Sequence, residues 1–200
     1  MSRRVALPAV LAVLTATLSL AFAAGARAQT VPGGHKLVQV VVSGGVTLPA
    51  GELKNFHDTG FHYDGSLIFN IPGFPIAFRP EVSFTQFKLK NALVPGTAAA
   101  GYGSNTTQLL SAIGNIEVPL AAGLYLIGGL GAMRLDSKLA ATTTDETQTK
   151  LVIDAGAGFR FRLSRIDGFV EARMGTASYE SGKFGYSKAQ FIPITFGLAF

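Results

Sequence analysis

The chain contains no cysteine and no tryptophan, and only 14% of its residues are charged. Without cysteine there is no disulfide staple, no thiol nucleophile and no thiolate metal ligand. Sparse charge beside 48% hydrophobic residues makes the composition too apolar for a disordered chain. No stretch carries the 3.6-residue period of an amphipathic helix. Histidine is scarce as well, with only His35, His57 and His62. His57-Asp58 with His62 and Asp64 lacks the fixed spacing of a metal motif, so solvated loop residues are expected and no metal or cofactor. His62 and Ser66 share one face of a strand but stand about 13 Å apart by strand rise, too far for a proton relay. The glycines of Asp154–Gly158 and Gly128–Gly131 are followed by no helix and complete no dinucleotide fingerprint. These gaps argue against an enzyme.

What is present begins with an export signal. Arg3 and Arg4 precede an apolar run from Val5 to Ala24, and Ala26-Arg27-Ala28 supplies a small-x-small cleavage pattern. Residues 1–28 are therefore expected to be removed near Ala28, leaving residues 29–200 as one domain. Arg3, Arg4 and Arg27 leave with the signal and no acid does, so the formal net charge falls from +5 to +2. The basic balance belongs mostly to the signal and offers no case for nucleic acid.

Eight strand-like stretches follow, at Lys36–Leu48, Phe61–Ile71, Pro75–Lys90, Thr106–Leu120, Gly123–Asp136, Thr149–Leu163, Ile166–Ser178 and Lys188–Phe200. Each has the length a tilted strand needs to cross hydrocarbon. The connections alternate strictly. Pro49–Gly60, Asn91–Asn105, Ser137–Gln148 and Tyr179–Ser187 are long, whereas Pro72–Phe74, Ala121-Ala122 and Ser164-Arg165 are tight. A soluble sandwich has no reason to segregate loop length by end. Val118–Met133 is uncharged, but Pro119 and its glycines favour a strand–turn–strand unit over a membrane helix. Among the long loops, Tyr179–Tyr186 is the most ligand-like, with exposed aromatics beside charges.

Period-two reading assigns an outward apolar face. It takes in Val38, Val40, Val42, Val46, Phe61, Tyr63, Leu67, Phe69, Ile76, Phe78, Val82, Phe84, Leu110, Ala112, Ile116 and Val118. Tyr125, Ile127 and Met133 are placed outward too, followed by Leu151, Ile153, Ala155, Ala157, Phe159, Phe161, Val170, Ala172 and Met174. The opposite register gathers five acids, Asp64, Glu81, Glu117, Asp154 and Glu171, and five arginines, Arg79, Arg134, Arg160, Arg162 and Arg173. Arg or Lys at the bilayer midplane costs about 2–4 kcal/mol, so the charged face is expected to line the lumen. A soluble barrel of the lipocalin kind would invert this pattern. Pro80 and Pro193 fall inside strands, where bulges are expected.

The last strand carries Ile192, Ile194, Phe196, Leu198 and Phe200 on alternate positions and ends in an aromatic residue. With these residues, the loop alternation and the signal, the mature chain resembles the porin-like outer-membrane β-barrel domain family. The likeness is to its small eight-stranded members of the OmpA and OmpX type. The resemblance implies an all-β, eight-stranded antiparallel up-and-down transmembrane β-barrel in the bacterial outer membrane. It implies that Ile194, Phe196, Leu198 and Phe200 form the signal read by the barrel-insertion machinery. Outer-membrane lipid and lipopolysaccharide are the other implied partners, and a monomer is expected. The expected role is structural or surface-interacting, with a lumen filled by paired charges. A narrow pore for small or apolar solutes and, more distantly, a lipid-modifying enzyme are the alternatives.

Overall fold

The structure, a computed structural model, describes residues 36–90, 106–138, 146–178 and 187–200. The expected signal segment, His35, the Tyr179–Tyr186 loop and most of the other long loops lie outside the described residues. Eight strands form one closed sheet: β1 (Val38–Ala50), β2 (Gly60–Asn70), β3 (Ala77–Lys88), β4 (Thr106–Pro119), β5 (Leu124–Lys138), β6 (Glu146–Leu163), β7 (Ile166–Ser178) and β8 (Lys188–Ala199). Every neighbour is antiparallel, and β8 closes on β1. Closure leaves no edge, the condition for a sheet to cross lipid with its backbone groups satisfied.

Register fixes the shape of the barrel. Stepping across partners from Phe159 leads through Val170, Phe196, Gly44, Tyr63, Phe84 and Leu110 to Arg134 and then Thr149, ten residues from the start. A stagger of ten residues at ~3.3 Å against eight strands spaced ~4.8 Å gives a tilt of about 40°. The three tight turns gather at one end with Lys36 and Phe200, and the long connections at the other. The β4–β5 turn is held by Leu120 N–H donating to the Leu124 carbonyl at 2.7 Å. Gly123 there has φ 84°, and a side chain on it would strike the Arg160 carbonyl.

Neither proline makes a bulge. The β2–β3 ladder lacks the pairs Leu67–Pro80 and Ile68–Arg79, then resumes at Phe69–Phe78 in the same register. The β7–β8 ladder likewise skips Arg173–Pro193 and Met174–Ile192 and resumes at Gly175–Phe191. Proline removes one donor toward one neighbour only. Its other side stays paired, Pro80 with Gly114 and Pro193 with Thr47, so the closed sheet holds register across the gap.

The outer wall is apolar, with Tyr63, Leu130, Leu151 and Phe196 among its most exposed side chains. One strand departs from the sequence reading. Tyr125, Ile127 and Met133 are buried inside the barrel, while Leu124, Leu126 and Leu130 face out. Arg134 shares the outward register with those leucines. A one-residue slip flips a whole strand, and β5 is apolar on both faces, so its alternation carries no phase.

The long loop after β1 contains a single α-helical turn, α1 (Leu53–Phe56), which the periodicity did not signal. A single turn is too short to show a period. Leu53 is completely buried in an apolar cluster with Phe87, Leu109, Ile113, Met133, Leu135 and Phe191 at the long-loop end of the lumen. A smaller cluster, Val41, Ile68, Ala77, Phe169 and Ala199, sits toward the tight-turn end.

Candidate functional site

The charged side chains occupy the lumen between these clusters. Arg79 and Glu81 of β3 face Glu171 and Arg173 of β7, four strands away in a barrel of eight, hence across its diameter. They form an alternating ring. Arg79 Nη1 donates to Glu171 Oε2 at 2.9 Å, and Arg173 Nη2 donates to Glu81 Oε1 at 2.6 Å. The other two sides are Arg79 Nη2 to Glu81 Oε2 at 3.3 Å and Arg173 Nε to Glu171 Oε1 at 2.8 Å. Arg79 is wholly buried and lies over the Phe169 ring at 5.0 Å. Its Nε donates to Ser66 Oγ at 3.1 Å.

Other strands brace this ring. Tyr125 donates its hydroxyl to Glu171 Oε2 at 2.7 Å, and Arg173 Nη1 donates to Asp154 Oδ2 at 3.0 Å. Arg160 grips Glu117 with Nη2 at 2.7 Å and covers the Tyr125 ring at 5.2 Å. Arg160 retains 22% side-chain exposure at the tight-turn end, so the network meets water from that side. His62 is buried between Thr47 Oγ1 at 2.8 Å and Thr195 Oγ1 at 2.9 Å. Asp64 stands apart from the guanidiniums, its contacts being Ser43 Oγ at 3.3 Å and His62 Nε2 at 3.5 Å.

Inward glycines make the room. A side chain at Gly158 would collide with Tyr125, one at Gly156 with Arg173, and one at Gly129 with Asn115. Each large polar side chain thus lies across a neighbouring strand's missing Cβ. Alternation alone does not name the partners of these close approaches, which follow only from the register.

No protein-family model and no curated relative matches the chain. Among solved structures it is similar to neisserial surface protein A (NspA), with a TM-score of 0.59 and 15% identity over 81% of this chain and 95% of that one. It is also similar to a major outer membrane protein from Thermus thermophilus, with a TM-score of 0.51 and 13% identity over 82% of this chain and 98% of that one. The chain has the fold of the small eight-stranded outer-membrane β-barrels.

An outer-membrane barrel presents an apolar band to lipid and polar rims above and below it. That frame explains the two arginines that do not join the lumen network. Arg134 points outward near the long-loop rim, 46% exposed, and pairs with Asp136 at 3.0 Å. Thr147 also donates to that carboxylate. Arg162 keeps the inward phase but lies past the tight-turn end of the band, 72% exposed and 3.6 Å from Asp167. The lumen therefore sets five carboxylates against three guanidiniums, not five against five. Phe196, Leu198 and Phe200 of the last strand face outward and are exposed, with Ile194 in the same phase and partly covered.

Loop residues complete the long-loop end. Glu52 accepts hydrogen bonds from the Ser187 N–H at 2.6 Å and the Lys188 N–H at 3.2 Å, which hold its carboxyl below the usual range. His57 is buried beside Phe87, its Nε2 2.8 Å from Thr107 Oγ1 and its Nδ1 3.4 Å from the Leu53 carbonyl. A carbonyl only accepts, so Nδ1 carries the proton and Nε2 accepts from Thr107. Burial depresses the His57 pKa to about 4.

Proposed function

We propose that the protein is a non-enzymatic barrel of the bacterial outer membrane, with a structural or surface-interacting role and a lumen closed by its own side chains. The observation that carries this reading is the ring of Arg79, Glu81, Arg173 and Glu171 joining opposite walls. An eight-stranded barrel has an interior that side chains just fill. A ring spanning that interior leaves little section for a continuous water path, and the apolar cluster around Leu53 lies above it.

A lipid-modifying enzyme would need a nucleophile and base open to lipid, and the hydroxyl–imidazole pairs here, His62 with Thr47 and Thr195 and His57 with Thr107, are all buried. Ser66 accepts from Arg79, and His62 is held between two threonine hydroxyls. In this reading the residues after Ala28 form the mature barrel, which works as a monomer. It contacts outer-membrane lipid and lipopolysaccharide, and Ile194, Phe196, Leu198 and Phe200 guide its insertion. Purified protein in planar bilayers should show no stable conductance. Reproducible ion-selective single-channel currents would promote the narrow-pore reading instead.

A further inference from the structure

The lumen of a transmembrane barrel is ordinarily lined with polar side chains, yet the long-loop half of this one is apolar. Phe87, Leu109, Ile113, Met133, Leu135 and Phe191, from β3, β4, β5 and β8, line it as a bowl. Ile113 is the register partner of Glu81, so the ionic ring forms the floor and the bowl is blind. What fills it comes from a loop. Leu53 is completely buried there, and Phe56 packs against the same cluster. That plug is lightly made, because α1 is one turn with no side-chain N-cap, too short to persist as a helix by itself. Two of its fastenings are exposed: Glu52 on the Ser187 and Lys188 amides, and Lys90 Nζ on the Lys54 carbonyl at 2.7 Å.

Gln148 gives the bowl a polar handle. It is the register partner of Leu135, lies in the inward phase of β6 and is only 8% exposed. Neither its amide nitrogen nor its amide oxygen has a hydrogen-bond partner among the described residues. A buried amide left unpaired is costly, and this one offers donors and an acceptor side by side. An apolar bowl with one unpaired amide in its wall matches a particular ligand chemistry. We propose that the bowl binds a small neutral amphiphile, whose hydrocarbon takes the place of Leu53 and whose hydroxyl or amide head pairs with Gln148. Leu53 then acts as a built-in competitor, and the ligand's affinity is reduced by the work of releasing it.

The site goes beyond the closed-barrel reading, and the two fail differently. Ion-selective current in planar bilayers defeats the closed barrel; absence of ligand binding defeats only the site. The full-length mature protein, methyl-labelled at Ile and Met in lipid nanodiscs, is titrated with 1-hexanol or with hexane. Hexanol should shift the Met133 and Ile113 methyls saturably. Met174, 50% exposed on the outer wall, should report only unsaturable partition into lipid. Cleavage after Lys54 should accelerate as hexanol binds, because Leu53 leaves the bowl. Leu53→Ala should bind hexanol about ten-fold more tightly, since no side chain has to be released. Gln148→Leu should lose the preference for hexanol over hexane while still binding hexane. No saturable shift at Met133 in either the unmodified chain or Leu53→Ala would overturn the site. Equal affinity in those two chains, or a hexanol preference that survives Gln148→Leu, would overturn it as well.

Discussion

Two neighbouring layers of the lumen solve the same packing problem with opposite chemistry. At the long-loop end, Leu53, Phe87, Leu109, Met133 and Leu135 fill the interior as an ordinary apolar core. Toward the tight turns, three guanidiniums and five carboxylates occupy it, with Tyr125 and His62 among them. Apolar packing is forgiving, since volume and shape suffice. The ionic layer is not, because each buried charge left without a partner costs several kcal/mol. The ionic layer therefore holds opposite walls together in one geometry and closes the section between them, whereas the apolar layer mainly anchors the loop helix above it.

Glu171→Gln attacks the ionic layer where it is most connected. Glu171 accepts from Arg79 and Tyr125 and faces Arg173 at 2.8 Å, so the change leaves two buried guanidiniums underpaired. A loss of about 3–5 kcal/mol is expected in urea unfolding from detergent. The same variant should be the first to pass current in planar bilayers. Stability within about 1 kcal/mol of the unmodified barrel would show that the ring is not what ties β3 to β7.

Leu53→Ala tests the other end. Removing a buried leucine from a core costs about 2–5 kcal/mol, but α1 is a single turn on a loop, so the loss should appear as local release. Proteolysis after Lys54 should accelerate while global unfolding shifts little and conductance stays absent. Currents from Leu53→Ala would move the seal from the ionic layer to the apolar one.

Acid should reach the same loop through His57. Its folded pKa, about 4, lies below the ordinary value of 6.5, so the unfolded loop binds the extra proton between those values. The loop's attachment is therefore complete above about pH 6.5 and weakens as pH falls toward 4. The whole effect is on the order of 3 kcal/mol. Lys54 cleavage should rise across that window, and His57→Gln should flatten the profile. A profile that stays steep in His57→Gln would assign the titration elsewhere.

Most of the barrel was legible because charge marks the phase of a strand. Asp64, Arg79 and Glu81, Glu117, Asp154, and Glu171 with Arg173 each pin one strand's inward face, and the structure puts all of them inside. On β5 the only phase marker read was Arg134, which lies above the apolar band where either face tolerates a charge, so the strand was read one residue out. Arg162 was misread for the same reason at the opposite rim. The cross-lumen ring was not legible at all, since pairing between β3 and β7 depends on the ten-residue stagger. The inward glycines carried a signal that only the register explains.

The smallest expected effect is also the one that reads the charge count. With Arg134 and Arg162 outside, five carboxylates share three guanidiniums, and Asp64 is the one whose contacts are Ser43 and His62 rather than an arginine. Asp64→Asn keeps the shape, keeps an acceptor for Ser43 and removes one surplus negative charge beside Glu81. Taking away an unpaired buried charge spares its desolvation, so the change should be neutral or stabilise by up to about 1 kcal/mol. The sign opposes that of Glu171→Gln although both replace a buried carboxylate by its amide. In a lumen whose charges balanced, both would destabilise. A clear loss of stability in Asp64→Asn, measured in the same urea titration, would mean that His62 is charged and that Asp64 is its counter-ion.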